Sequence, residues 1–406
     1  MTPFHSSSFR RLWCSSLSVA AGHGLERTAT AWLALEAGGG AFAIGLVFAA
    51  RMLPSLLFGL MAGTLADRNN RSHQLLAVAG AGLVLMAGLS WAVQQGAVAV
   101  WQVILIAFAT GCVQVFDTPA RQVLILDTVP AEAAERALAL NALAGRLAGA
   151  VGAFGAGALI VSGGVARCYL AIAVAHGVTA ALVATLRVAE DRRAGGARPS
   201  FAESFRGAAR LIVDVPAVRL LICAGVACEI FAFSHSTALP LVAQDVLRSG
   251  AAGLGTLNAA TSIGGTIAVL LLSLLPRSVR REPLLGAAFL VYGLSILAVG
   301  STRSLAFAAA ALVVTGICAG AFDVLQQTLI QLAVPKDQRG RAVGVWVLGL
   351  GSAPVGHIEM GLLIALLGAP GALLINGGLT VFAAAILLIL APTYRLGWHT
   401  RSVRPV

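Results

Sequence analysis

Twelve apolar runs of 17 to 25 residues, separated by short polar or charged segments, constrain this chain more than any other feature. They fall at about 12–35, 42–66, 75–95, 97–118, 137–160, 168–188, 216–240, 251–275, 284–300, 304–325, 342–366 and 371–391. A helix of roughly 20 apolar residues crosses the hydrocarbon of a bilayer, and at that depth the backbone must satisfy its own hydrogen bonds. The expected fold is therefore an all-α membrane protein of twelve transmembrane helices. Composition agrees, with 58% hydrophobic and 11% charged residues, where soluble domains run near half apolar and a quarter charged.

Charge sets the expected orientation. With the N-terminus cytoplasmic, the inside segments hold 20 of the 28 basic residues, among them Arg10, Arg11, Arg192, Arg193, Arg277, Arg280, Arg281, Lys336, Arg339 and Arg341. The outside loops hold three, Arg167, Arg248 and Arg303. Positive residues stay on the cytoplasmic side, so both termini are expected inside, and the net charge of +11 is a topological signal and not a mark of nucleic-acid binding. The short polar N-terminus lacks a small-residue cleavage site after its first apolar run, which reads as a retained helix. Trp13, Trp32, Trp91 and Trp101 fall at span ends, where aromatic belts form.

The chain repeats itself at half length. Gln122, Leu124, Ile125, Val129, Pro130, Arg136 and Ala137 recur 205 positions later as Gln327, Leu329, Ile330, Val334, Pro335, Arg341 and Ala342, and Phe116-Asp117 recurs as Phe322-Asp323 with a slip of one. Six spans lie between the copies, so both face the same way, as in a parallel duplication with a substrate site near the midplane between halves. The expected division is an N-terminal half over 1–188, a cytoplasmic linker over 189–213 and a C-terminal half over 214–406. Within the linker, Phe201, Phe205, Ala208 and Ile212 recur at helical spacing, which suggests a helix lying in the membrane interface.

Ionisable groups inside the hydrocarbon cost at least ~2.5 kcal/mol each on insertion scales and are functional candidates by default. The first span carries His23, Glu26 and Arg27, the second Arg51, the fifth Arg146, the seventh Glu229 and His235, and the eleventh His357 and Glu359. All three arginines belong to the N-terminal half. As fixed cations that grip oxyanions bidentately, they suit an anionic or polar substrate, while Glu229 or Glu359 is expected to carry a proton, a carboxylate out of water holding its proton more tightly. The alternative is that these charges only pair with one another as structural glue. Neither the six scattered cysteines nor any His, Cys or acidic cluster shows metal-ligand spacing, and no nucleotide loop or nucleophile motif occurs. No catalytic residue, metal or cofactor is expected.

Between the second and third spans lies Gly63-Thr64-Leu65-Ala66-Asp67-Arg68-Asn69-Asn70-Arg71. Gly63, Asp67, Arg68 and Arg71 resemble the loop at this place in major facilitator superfamily transporters, with Asn70 where that pattern carries glycine. The resemblance implies a gate that locks one conformation of the two halves, with Asp117 as partner of the arginines that follow Asp67, and with Arg121 in the same gate. The fifth span carries Gly145, Gly149, Gly152 and Gly155, small residues that let helices pack closely. They resemble the antiporter motif of drug-exporting members, although Ala150 stands where a proline follows the second glycine and Ala107 where proton antiporters carry an arginine.

A narrower resemblance runs along nearly the whole chain. Glu26-Arg27 with Ala31-Trp32-Leu33, Gly45-Leu46-Val47, Leu53-Pro54, the run Asp117-Thr118-Pro119-Ala120-Arg121-Gln122, Arg146, Gln331, Val334-Pro335 and Arg339-Gly340-Arg341 look like the bacterial branch that includes the enterobactin exporter and macrolide efflux proteins. That resemblance implies a proton-coupled exporter of a siderophore-like or other secreted small molecule in the bacterial inner membrane, with the substrate, protons and the lipid bilayer as partners and the monomer as the working unit. A multidrug or macrolide efflux pump is the alternative, for which acids alone would govern recognition. A non-transporting sensor with the same fold is the third reading, against which the retained midplane charges argue.

Overall fold

The computed structural model describes residues 3–68, 70–96, 98–186, 201–276, 278–335 and 338–392, leaving aside the side chains of 60, 63, 64, 66–68, 201–205, 208 and 340. Thirteen α-helices follow one another: α1 (Ser7–Glu36), α2 (Ala41–Arg68), α3 (Arg71–Gln94), α4 (Val100–Asp127), α5 (Ala134–Ala184), α6 (Phe201–Asp214), α7 (Pro216–Ala227), α8 (Leu239–Leu241), α9 (Gly250–Ser273), α10 (Arg281–Ser301), α11 (Leu305–Leu332), α12 (Arg339–Leu350) and α13 (Ala353–Leu390). Among the described residues nine helical stretches are long and apolar enough to cross a membrane. Two of them double back. The stretch containing α5 turns at Gly163–Gly164 and the one containing α13 at Gly368, where Gly164 and Gly368 take φ of +77° and +72°, a region that side-chain-bearing residues avoid. With α1, whose polar residues keep it out of that set, the crossings are consistent with the expected twelve. The chain is a multi-pass membrane protein.

Local sequence sets the helix starts. The Ser6, Asn70 and Ser304 side chains cap α1, α3 and α11 by accepting from the amides of Phe9, His73 and Phe307. Asn70, the departure from the family pattern, thus begins α3, and the charged knot after Gly63 is mostly the last turns of α2. Large apolar side chains such as Val84, Val151, Val161 and Leu366 stay exposed on the outside of the bundle, where hydrocarbon and not water is their surrounding.

The two halves pack by the same rule. A side chain at Gly111 of α4 would strike the Arg51 carbonyl oxygen of α2, and one at Gly316, 205 positions on in α11, would strike the Thr261 carbonyl oxygen of α9. Glycine here lets each pair of helices touch backbone to backbone. In α5, Gly149 and Gly152 lie where that helix crosses α1: a Cβ at Gly24 or Gly152 would meet the carbonyl oxygen of Gly149 or Ala21. A Cβ at Gly145 would lie 3.8 Å from the Ala20 methyl. Gly155 differs from the expected packing role, since among the described residues nothing lies within 4 Å of a Cβ there. Its neighbour Gly157 takes that part instead, against Ala251 and Ala252 of α9.

The halves meet at one end of the bundle through two glycine contacts. A Cβ at Gly361 of α13 would come 3.2 Å from Gly45 Cα of α2, and a Cβ at Gly255 of α9 would come 3.1 Å from Gly157 Cα of α5. Both contacts lie toward the start of α2 and of α9, the end of the bundle away from the start of α1.

The amphipathic helix expected in the linker is present as α6, whose Leu211 is buried, with Gly207 against the Arg341 side chain of α12. Residues 189–200 of that linker lie outside the described residues.

Candidate functional site

Between the halves lies a cavity of about 790 Å³, within the range that holds small-molecule ligands. Its walls come from α1, α2, α4 and α5 on one side and from the seventh span, α9, α10, α11 and α13 on the other. The exposed Thr118 and Gln122, in the last third of α4, line it. It therefore extends toward the end of the bundle opposite the two glycine contacts.

Helical geometry sorts the N-terminal charges. His23 and Arg27 are four apart on α1 and share a face, and both line the cavity. Glu26 is turned about 100° from Arg27, away from the cavity: it meets Arg51 at 2.6 Å and accepts a hydrogen bond from Thr110 Oγ1 at 3.2 Å. Glu26 is thus a buried structural partner, not a cavity residue. Arg51 lines the cavity but is held by Glu26 and donates to Gln114 Oε1 at 3.0 Å. Arg27 exposes its side chain to the cavity, and Arg146 reaches across it, with Nη1 2.9 Å from where a Cβ of Gly265 would stand. Among the described residues neither Arg27 nor Arg146 has an ion-pair partner.

The opposite wall is built on an irregular helix. After α7 the seventh span passes through a π-helical segment, Cys228–Ala232, a 3-10 segment, Phe233–Thr237, the short α8 and a second π-helical segment, Val242–Val246. Pro240 contributes by withdrawing a backbone donor, and Gly356 of α13 makes room: a Cβ there would come within 2.6 Å of Ile230 Cα and 2.8 Å of the Glu229 carbonyl oxygen. Such departures from α-helix in a packed span are frequent at functional sites. Glu229 and His235 both project from this stretch to line the cavity, and so does His357 of α13. His357 accepts from or donates to Thr237 Oγ1 at 2.7 Å and stacks on Phe48 of α2, ring centroids 5.3 Å apart, so it joins the halves. Glu359, two residues on and so on the opposite face of α13, does not line the cavity; it accepts from Asn376 Nδ2 at 3.0 Å. Of the two acids expected to carry a proton, only Glu229 faces the space between the halves.

The fourth and tenth apolar runs, 97–118 and 304–325, stop just past Asp117 and Asp323. Instead α4 continues through Pro119 to Asp127 and α11 to Leu332, so the two acids lie ten and nine residues inside, about 15 Å from the ends at 1.5 Å per residue. Both line the cavity. Asp117 is closed off by a two-pronged pair with Arg121, at 2.8 and 2.7 Å, and Arg121 also donates to the Ser15 and Ser16 hydroxyls of α1. The expected contact of Asp117 with the arginines after Asp67 is not formed by Arg71, which pairs with Asp127 at 2.7 Å. A partner one turn away on the same helix is reached at less cost in order than one on a neighbouring helix. The side chains of Gly63, Asp67 and Arg68 lie outside the described residues.

Asp323 is the site residue that sequence reasoning missed. Like Glu229, it has no ion-pair partner among the described residues. Also missed were Asn258, Thr261, Ser262 and Gly265 of α9, all lining the cavity, with Asn258 Nδ2 donating to Thr28 Oγ1 of α1 at 3.1 Å across the interface. Their spacing of three, four and seven marks one polar helix face in an apolar span, a signal legible without a structure.

Two pseudo-symmetric helical halves around a charged central cavity define a membrane transporter of the major facilitator type. Residues 1–396 match the family model described as transmembrane secretion effector, and the chain belongs to that family. Solved structures share the fold at low identity. A bacterial homolog to the human lysosomal transporter Spinster, in an inward-facing and unoccupied conformation, has a TM-score of 0.69 at 16% identity over 96% of both chains. A POT family transporter in complex with 5-aminolevulinic acid gives 0.74 at 13% identity over 96% of this chain and 97% of that one, and the nucleoside transporter NupG gives 0.73 at 11% over 95% and 99%. No curated protein matches the sequence.

Proposed function

We propose that the protein exports a small secreted molecule, siderophore-like or otherwise polar, across the bacterial inner membrane by alternating access coupled to protons. The single observation that carries this reading is the pair of cavity carboxylates, Glu229 and Asp323, that form no close ion pair among the described residues, facing Arg27 and Arg146, which form none either. Charges at bilayer depth persist where a moving solute or proton visits them. The excess of arginine at the ends bearing the termini supports a cytoplasmic placement of that end. In that orientation the cavity opens to the cytoplasm, the glycine contacts close the outer side, and cargo enters from within. Glu229 is the proton carrier, and Arg27 and Arg146 hold the cargo.

Macrolide-type efflux through recognition by acids alone is disfavoured, because it leaves Arg27 and Arg146 facing a cationic drug. The working unit in this reading is the monomer, since the cavity is complete within one chain. The test is secretion. Culture fluid from cells with and without the protein identifies the metabolites it exports, and Glu229→Gln is then compared with the native protein at equal membrane abundance. Loss of the identified metabolite from the fluid is the expected result. Secretion at the native rate would overturn the assignment of Glu229.

A further inference from the structure

We infer that the cargo is amphoteric: a single molecule bearing an anionic group and, at its other end, a protonated amine or comparable cation, held across the interface between the halves. This deepens the exporter reading and rests on it for the identity of the site. Four cavity side chains lack ion-pair partners among the described residues, and they are divided by sign and by half: Arg27 and Arg146 on the N-terminal wall, Glu229 and Asp323 on the C-terminal wall. The other acid and arginine side chains in the cavity wall are already neutralised, Arg51 by Glu26 and Asp117 by Arg121. The binding space thus offers donors on one side and acceptors on the other.

A cargo with only anionic groups compensates the arginines and leaves two carboxylates desolvated beside it. A cargo with only cationic groups does the reverse. An amphoteric molecule compensates all four, and charge-assisted hydrogen bonds to both walls are the strong ones.

His235 adds a separate observation. Its Nδ1 lies 2.7 Å from the Ala232 carbonyl oxygen, an acceptor only, so Nδ1 carries the hydrogen and Nε2 of the neutral ring is an acceptor. That Nε2 has no hydrogen-bond partner among the described residues, and the ring, 4% exposed, lines the cavity on the same wall as Glu229. Two carboxylates, this imidazole nitrogen and no guanidinium on the C-terminal wall fit a ligand group rich in N–H. A molecule anchored at both walls also ties the halves together, so occupancy itself favours closing the open end.

The test uses the purified full-length protein in detergent and reads the thermal unfolding midpoint against added ligand. The probes are α,ω-aminocarboxylates of roughly six to twelve carbons, lengths suited to a cavity of this size, beside the dicarboxylates and diamines of equal length. At the best length the aminocarboxylate is expected to bind at least about tenfold more tightly than either symmetric analogue, the worth of one charge-assisted contact. Arg146→Gln and Asp323→Asn should each remove that preference, while Arg146→Lys, which keeps the charge, retains part of it. Each variant's own midpoint without ligand serves as the folding control. A dicarboxylate or diamine that binds as well as the aminocarboxylate, or no shift with any probe, overturns the inference. Binding needs no turnover, so the two readings fail separately: selective binding with no metabolite whose secretion depends on the protein counts against the exporter, and protein-dependent secretion with charge-indifferent binding counts only against the amphoteric cargo.

Discussion

Replacing Glu26 with glutamine separates structural charges from working ones. Glu26 and Arg51 are 3% and 9% exposed and meet at 2.6 Å. At the effective dielectric of about 20 that suits protein sites, their attraction is about 6 kcal/mol, most of it offset by the desolvation of both groups. Removing one partner leaves the other buried and uncompensated, which costs about 3–5 kcal/mol. The lower end applies here, because Arg51 keeps its bond to Gln114 and the new amide oxygen still accepts. Glu26→Gln is therefore expected to lose about 3 kcal/mol of unfolding free energy, and Glu26→Gln/Arg51→Gln to recover most of it. Unfolding in mixed micelles, titrated with a denaturing detergent and followed by tryptophan fluorescence, gives the three values. Glu229→Gln is the control, because it removes a charge with no partner and should cost little or nothing. A Glu26→Gln variant within about 0.5 kcal/mol of native, or a Glu229→Gln variant as unstable as Glu26→Gln, would refute the division of these acids into two kinds.

Other consequences follow from the same geometry. Arg121→Gln leaves the buried Asp117 without its guanidinium and should destabilise by about 3–5 kcal/mol, measured by the same unfolding titration; stability near native would mean that Asp117 is compensated elsewhere. Glu359→Gln should leave secretion of the identified cargo unchanged, since that carboxylate lies outside the cavity, whereas loss of secretion equal to that of Glu229→Gln would place a second carrier there. Gly255→Val introduces a Cβ where α9 meets Gly157 of α5, and spin labels on the two helices should report a wider separation at that end; an unchanged distance distribution would show that the contact does not hold the halves.

The sequence revealed the architecture well because bilayer thickness and backbone satisfaction leave few solutions for long apolar runs. It failed where a polar cluster lies within a helix. The run Asp117-Thr118-Pro119-Ala120-Arg121 has the marks of a helix end, charge and proline, yet it continues α4 because Arg121 neutralises Asp117 one turn away and Pro119 sits in a helix packed on its neighbours. Hydropathy thus displaced Asp117 and its repeat partner Asp323 from the cavity. The list of intramembrane charges was legible as a list, but their facing was not: Glu26 and Arg27 are adjacent in sequence and serve different faces of α1, and Glu359 is two residues from His357 and turned away from it. The phase of each helix decided which charges meet the cavity, and that phase depends on crossings such as Gly24 on Gly149 that involve distant parts of the chain. The π-helical distortion around Glu229 likewise depends on Gly356 from another span.

Access to the central cavity from the two faces of the membrane is the most direct test. A single cysteine at Ala319, a cavity position on α11, in a chain whose six native cysteines are replaced, is labelled by an impermeant maleimide in vesicles of each orientation, with and without a proton gradient. The account predicts labelling from the face that carries the termini at rest and a gradient-dependent increase from the opposite face. Labelling from one face only under every condition would contradict alternating access through this cavity.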